Sequence, residues 1–395
     1  MNYKKLLTLS YTDEKEYQEV YKSRINSEST TLLDFEISGN QAFYVITQEI
    51  LMLVTKIASV DKDLGRKMTL LPNIAIQQYT RQILIDEIKQ TNDIENVFST
   101  KKQIKDTLSK IEKNSFKGRF NGLIRKYQAL EIKADISLNS CDDIRKLYDE
   151  IVLPEVIEED PTDKPDGIMF RKESVSVYSE SGKEIHVGSY PEAKIISNLT
   201  SALKILNDEN VNYLVSAAVF HYLFAYIHPF YNGNGRTDRF ISSYYVSKYL
   251  NPLVAYRLSY IIKKHKSQYY KMFTETNDKR NKGDLTPFII QFLEFILKAE
   301  MELCEEIFNR IKMQNYYSSR LKQLSLTGLD DKIAFYLLLN ALFDNEGLSI
   351  SRLQKIVGKS YTTVKKSIEQ LQKLGILRAE PSGKAILYEI DLDKI

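Results

Sequence analysis

Apolar residues in the first 118 or so positions recur at helical spacing within Lys/Glu/Asp-rich segments, and Ile46, Ile50, Leu53, Val54 and Ile57 share one helix face. The pattern breaks at Leu71 and Pro72 and then restarts, predicting a second helix from about Ile74 to Phe98 that carries Ile83, Leu84, Ile88 and Ile94. Between Pro161 and Gly167 the segment PTDKPDG is turn chemistry, and beyond it the period changes from helical to alternating. Val175, Val177 and Tyr178, then Ile185 and Val187, flank SESGKE, which predicts a hairpin turning at Ser181 and Gly182. Helical patterns return over roughly 192–206, 211–227, 235–249, 266–277 and 285–313. The last 65 or so residues follow another order: an apolar helix from Ile333 to Phe343, LSISRLQKIVG with a turn at Gly358, KSYTTVKKSIEQLQKLG stopped at Gly375, and ILRAE and AILYEI joined by PSGK. Helix, helix, turn, helix and hairpin is the order of a winged helix-turn-helix. The fold class predicted is mainly α.

At 395 residues the chain is too long for one typical core, and a hydrophobic content of 43% with 26 Tyr and 17 Phe supplies ample buried surface. Lys plus Arg is 55 against 52 for Asp plus Glu, so a phosphate or nucleic-acid site must come from local clustering and not from the whole-protein field. Cys141 and Cys304 lie far apart and outside any CxxC spacing, which supports neither a disulfide framework nor a thiolate metal site. The N-terminal apolar stretch is too short for a signal peptide and no run approaches a membrane span, so the expectation is a soluble cytoplasmic protein with no membrane partner.

Candidate chemistry concentrates in His228-Pro-Phe-Tyr-Asn-Gly-Asn-Gly-Arg-Thr-Asp-Arg239, between the end of one apolar helix and the start of the next. Pro229 disfavours helix at His228, and Gly233-Asn234-Gly235 forms a loop whose backbone can approach a ligand closely and opens onto a new helix N-terminus. Unpaired N–H groups, the helix dipole, and Arg236 and Arg239 on one helix face make a polyphosphate cradle. A histidine, suited to take a proton near neutral pH, stands just before it. Gly358-Lys359-Ser360 looks like the end of a P-loop, but Leu353 occupies the position of the required first glycine. His221 lies on an apolar helix and reads as a packed core residue, surface roles suffice for His186 and His265, and Glu275 and Asp284 read as solvated loop residues. Four histidines without HExxH or clustered cysteines argue against zinc.

The twelve residues resemble the Fic family motif, HxFx(D/E)GNGRxxR, at every fixed position but one, and the resemblance extends over about 120–300. It implies a Fic-type helical core with a β-hairpin flap, and a division into a helical N-terminal region (1–118), a Fic catalytic core (119–300), a helical linker (301–328) and a winged helix-turn-helix (329–395). By position, it implies that His228 deprotonates a Ser, Thr or Tyr hydroxyl of a target protein, which attacks the α-phosphorus of ATP. Phe230 would anchor the loop, Gly233, Asn234 and Gly235 would bind the α- and β-phosphates, Arg236 the β-phosphate and Arg239 the γ-phosphate. Tyr269, Tyr270 and Asn277 resemble the base pocket, and the hairpin at 173–189 the flap that binds the protein target. Asn232 stands where the family has an acidic Mg²⁺ ligand. An amide oxygen can ligate a hard cation without formal charge, so metal affinity should fall, and weak activity, a different transferred group and lost catalysis all stay open.

Thr91-Asn92-Asp93-Ile94-Glu95-Asn96 resembles the family's inhibitory pattern (S/T)xxxE(G/N). It implies that Glu95 pairs with Arg239 and occupies the place of the γ-phosphate, within one chain or across a homodimer. In the C-terminal segment Arg352, Lys355, Lys359, Lys365, Lys366, Lys373, Arg378 and Lys384 outnumber Glu369 and Glu380, which admits DNA as a partner. Three functions follow: an autoinhibited AMP transferase, a DNA-binding regulator whose core senses nucleotide without catalysis, and the reverse hydrolytic removal of AMP with Glu95 orienting water.

Overall fold

A computed structural model describes all residues except 1–2, 112–117, 179–181, 183, 345 and 384. Lys384 and the turn residue Ser181 therefore lie outside the described residues. The chain divides into two compact units, one of Met1–Asp61 with Ile85–Met301 and one of Lys62–Leu84 with Glu302–Ile395. Among the described residues no helix is long and apolar enough to cross a membrane.

The first unit is built around the helix Tyr213–Ile227, whose sequence YLVSAAVFHYLFAYI is apolar on every side and is accordingly buried from Leu214 to Phe224. Asn212 caps its start by accepting from the Leu214 N–H at 3.0 Å, and His228 ends it in the left-handed conformation at φ 52°. Helices Glu192–Leu206 and Asn234–Tyr249 pack on either side of it, with Asn121–Glu131, Cys141–Ile151 and Pro252–Ala255 around Asn234–Tyr249. A Ser140/Asp143 capping box starts Cys141–Ile151 and sets its buried face of Ile144, Leu147, Tyr148 and Ile151. The predicted hairpin forms, with Ser176–Tyr178 antiparallel to Glu184–Val187 and Val177 opposite His186.

The N-terminal region is not wholly helical. Strands Thr30–Ile37 and Asn40–Val45 pair antiparallel, turning through Ser38 and Gly39 at φ 49° and 78°. Leu33, Phe35 and Ile37 alternate into the core, and Phe43 exchanges backbone hydrogen bonds with Gly283 and Leu285 at 3.0 and 2.8 Å. Asp284 is correspondingly not a solvated loop residue: it is fully buried, accepting from Tyr3 Oη at 2.7 Å and pairing with Arg24 at 3.1 Å. The helix Asn73–Ile94 ends earlier than periodicity predicts, because Asn96 adopts φ 58° and the Val97 N–H closes back on the Asn92 carbonyl.

In the second unit the helices Gly328–Phe343, Ile350–Val357 and Tyr361–Lys373 precede strands Leu377–Ser382 and Ala385–Ile390. Ala385–Ile390 is central, flanked by Leu377–Ser382 in continuous antiparallel register and by the short strand Leu348–Ser349. Ser349 and Ser360 cap the two shorter helices, and Leu353, Val364, Ile368, Leu371 and Ile376 close the core beneath them. The helix Thr286–Gln323 passes from the first unit into the second and extends ten residues beyond the predicted end.

Candidate functional site

The loop from His228 to Gly235 is anchored by the inward-facing side chains of Phe230 and Asn234. Phe230 is fully buried, stacked on Tyr148 at 3.6 Å and edge-on to Phe170 at 5.4 Å. The Asn234 amide accepts from the Phe230 N–H at 2.9 Å and donates to the Phe230 carbonyl at 2.8 Å, while Tyr148 Oη donates to the Asn232 carbonyl at 3.1 Å. Asn234 thus shapes the loop with its side chain and has only its backbone to offer a ligand. Gly233 sits at φ 80°, and an added Cβ would lie 2.3 Å from Val152 Cγ1, so glycine is required on both counts. Helix Asn234–Tyr249 begins here, and the N–H groups of its first turn have no acceptor within the helix.

Arg236 is 1% exposed. Its Nη1 donates to Glu155 Oε2 at 2.9 Å, whereas Nε and Nη2 have no partner among the described residues. Burial pushes the Glu155 carboxyl up to about 7 against the opposing pull of Arg236. A buried guanidinium with two unfulfilled donors beside open N–H groups is an environment completed by an anion.

His228 faces the same space. Burial of its ring, then the positive charges of Arg171 and His186, push its pKa down to about 4, with Glu95 pulling the other way, although part of the residue remains open to the site. The imidazole is therefore neutral at physiological pH and free to accept a proton. Its backbone is held by Arg171, fully buried, whose Nε donates to the His228 carbonyl at 2.9 Å and Nη2 to the Ser189 carbonyl at 2.8 Å. Ser189 N–H also donates to Ile227 at 2.9 Å, tying the base of the hairpin to the end of the histidine-bearing helix. His186, in the hairpin, is 2.6 Å from the Tyr226 carbonyl and so packs inward instead of serving a purely surface role.

Arg239 is 1% exposed and every side of its guanidinium is occupied. Nε donates to Thr91 Oγ1 at 2.9 Å, Nη2 to the Thr91 carbonyl at 2.9 Å, and Nη1 to Glu95 Oε1 at 2.8 Å. Burial alone would raise the Glu95 pKa, but Arg239, by charge and hydrogen bond, outweighs it and holds the carboxyl below its usual range. The carboxylate also lies over Gly235, where a Cβ would stand 2.2 Å from Glu95 Oε1. Glu87, two turns earlier on the same helix, is buried and accepts from Tyr127 Oη at 3.1 Å and the Ser259 N–H at 3.0 Å, which fixes the helix behind Thr91.

Structure thus brings His228, Asn232, Gly233, Asn234, Gly235, Arg236, Arg239, Thr91 and Glu95 to one place. Tyr269 and Tyr270 lie near Arg239, but Tyr269 is buried with its hydroxyl 2.8 Å from His221, and Tyr270 presents the more open face. His221 is fully buried among Tyr269, Ser242 and Asp238, as its apolar helix predicts. Asn277 accepts from Tyr222 Oη at 2.5 Å and, through its carbonyl, from Ser38 Oγ at 2.6 Å. Arg171, Glu155 and Tyr148 carry no signal in the sequence, because each meets the loop or the helix that follows it from more than fifty residues away; Glu87 carries none because its partners Tyr127 and Ser259 are likewise remote.

Residues 98–246 match the Fic/DOC family, and residues 336–378 match a family described as winged helix-turn-helix DNA-binding. The chain carries a Fic/DOC family domain followed by a C-terminal winged helix-turn-helix domain. Among curated proteins it is similar to the protein adenylyltransferase Fic of Drosophila erecta, 30% identical over 129 residues, 30% of this chain and 24% of that protein. It is likewise similar to that of Drosophila melanogaster, 31% identical over 121 residues, 29% of this chain and 22% of that protein. The matched stretch thus spans less than a quarter of the length of these relatives. Among solved structures, a Fic family protein from Desulfovibrio desulfuricans G20 is 20% identical with a TM-score of 0.49, covering 88% of this chain and 97% of that one. A Fic domain containing signaling protein from Bacteroides thetaiotaomicron VPI-5482 is 19% identical with a TM-score of 0.43, covering 66% and 97%.

Proposed function

We propose that the chain is a protein adenylyltransferase that moves AMP from ATP to a target hydroxyl and is inhibited by its own Glu95. The observation that carries this reading is the buried Arg236, with two unpartnered nitrogens, at a helix N-terminus one loop away from a neutral histidine. An oligophosphate supplies the missing acceptors, and the histidine supplies the base.

In the reaction, His228 takes the proton of a Ser, Thr or Tyr hydroxyl as its oxygen bonds to the α-phosphorus. The bond from that phosphorus to the bridging oxygen breaks, and pyrophosphate leaves. The nest of N–H groups and Arg236 stabilise charge on the phosphoryl oxygens, the main catalytic term such a cradle offers. Pairing with Thr91 and Glu95 withholds Arg239 from the γ-phosphate, so the nucleotide seats productively only when that pairing opens. Asn232 would be the loop's side-chain ligand to Mg²⁺, which when bound would supply positive charge against the phosphates. The hairpin Ser176–Tyr178/Glu184–Val187, anchored through Arg171, would present the target as an added strand.

Incubation with α-labelled ATP and Mg²⁺, comparing wild type, Glu95→Gly and His228→Ala, tests the assignment. Label should enter protein in Glu95→Gly and disappear when His228→Ala is added. Label independent of His228 would remove it from the role of base.

A second reading places function in the winged domain. Lys355, Lys359, Lys365, Lys366 and Lys373 are exposed around the helix Tyr361–Lys373, while Arg378 and Lys365 already face Asp391 and Glu369. Such a face suits a phosphate backbone, with the core acting as a nucleotide sensor. Salt-sensitive retention on duplex DNA, without protein labelling, favours this reading.

A further inference from the structure

The turn segment PTDKPDG has no part in the function proposed above, yet it ends beside the loop at its one departure from the Fic pattern. Asp160 caps the 3-10 turn Pro161–Asp163 by accepting from the Thr162 N–H at 2.9 Å, and the Asp163 N–H closes on the Asp160 carbonyl at 3.1 Å. This projects the Asp163 carboxylate to the loop, where Asn232 Nδ2 donates to its Oδ2 at 3.1 Å. Among the described residues Asn232 is the donor that meets this carboxylate. Asn232 immediately precedes Gly233 and the phosphate-binding helix N-terminus, and its own carbonyl is held by Tyr148.

We infer that Asp163 and Asn232 together form the divalent-cation site of the bound nucleotide, Asp163 supplying from a separate turn the negative charge that the loop lacks. This rests on the transferase reading. Three physical points support it. First, two ligands in adjacent positions on an octahedral cation with bonds of 2.0–2.1 Å stand roughly 2.9 Å apart. The observed 3.1 Å separation is close to that, and turning the Asn232 amide over puts Oδ1 in place of Nδ2 without moving the loop. Second, a carboxylate at the rim of a polyphosphate cradle repels the ligand unless a cation stands between them. Third, small hard cations are usually held by one or two carboxylates plus substrate phosphates and water, not by all-protein cages. Consistent with that, no group of three or more His, Cys, Asp or Glu among the described residues could hold a metal.

The test uses the full chain carrying Glu95→Ala, a non-hydrolysable ATP analogue and Mn²⁺ as the probe. Calorimetry in EDTA measures metal-free nucleotide affinity, and the free-ion electron paramagnetic resonance signal measures Mn²⁺ bound by the protein–nucleotide complex. Asp163→Asn should weaken Mn²⁺ binding by about tenfold or more, while nucleotide affinity in EDTA holds or rises because the carboxylate no longer repels the phosphates. Adding Asn232→Asp to that variant should restore Mn²⁺ binding. Undiminished Mn²⁺ affinity in Asp163→Asn, with nucleotide still bound, overturns this inference alone. Failure of any variant to bind nucleotide, in EDTA or in Mn²⁺, overturns the transferase reading and this inference with it.

Discussion

Replacing Glu95 by alanine removes the charged partner of the buried Arg239. Arg239 holds three hydrogen bonds to the Thr91–Glu95 segment, two to Thr91 and one to Glu95, and only the last is to a charged group. Hydrogen bonds to charged partners contribute about 1.5–3 kcal/mol. The Glu95 side chain is 27% exposed against 1% for Arg239, so solvent screening favours the lower part of that range. At 1.4 kcal/mol per decade, losing this bond shifts the balance between closed and open Arg239 by roughly 10- to 30-fold. If nucleotide binds productively only to the open state, its apparent Kd falls by the same factor, up to the limit set by complete opening.

Alanine is preferable to glycine for this measurement, because Glu95 lies in the exit turn of Asn73–Ile94 and added backbone freedom there would confuse the result. The assay is calorimetric titration with a non-hydrolysable ATP analogue, paired with initial rates of α-label incorporation. Thr91→Ala serves as an internal comparison. It removes the Oγ1 acceptor but keeps the carbonyl that receives Nη2, so its effect should be in the same direction and smaller. Affinity and labelling both within twofold of wild type in Glu95→Ala would refute competition between the carboxylate and the γ-phosphate.

Three further predictions concern protons. With His228 pushed down to about 4, chiefly by burial, the labelling rate of the Glu95→Ala protein should stay flat as pH falls from 7 to 5, where an ordinary histidine would already have lost its basic form. A rate limb centred near 6.5 would contradict that. Because the folded state disfavours the imidazolium, the associated stability is present above 6.5 and is lost as pH falls towards 4; His228→Ala should flatten this part of the Tm profile. Glu300 shows the opposite sign. It is fully buried, neither oxygen has a partner among the described residues, and burial with the nearby Asp61 pushes its pKa up to about 9. Its neutral form is favoured on folding, so stability is full below 4.5 and is lost as pH rises through 9. Glu300→Gln should raise Tm over wild type by a margin that widens between pH 5 and pH 8, as read by calorimetric melting, and a constant margin would count against the assigned titration.

What the sequence determined by itself is what depends on neighbours along the chain. Pro229 after His228, two glycines around Asn234, and a restart of apolar spacing dictate a helix end, a tight loop and a helix beginning, because those conformations follow from steric preferences at adjacent residues. The alternation around SESGKE and the order of the last 65 or so residues were legible for the same reason. The hairpin Thr30–Ile37/Asn40–Val45 was equally local, with Ser38 and Gly39 as its turn, but it was obscured by the helical spacing that dominates the region around it. Tertiary structure alone decided which distant groups complete the site. Glu155 reaches Arg236 across 81 positions and Asp163 reaches Asn232 across 69, whereas the Glu95–Arg239 pairing across 144 positions was already implied by the resemblance of Thr91–Asn96 to a family pattern. Such pairings are chosen by how buried faces pack and by the need to satisfy charges once water is excluded, and neither quantity is encoded at any single position.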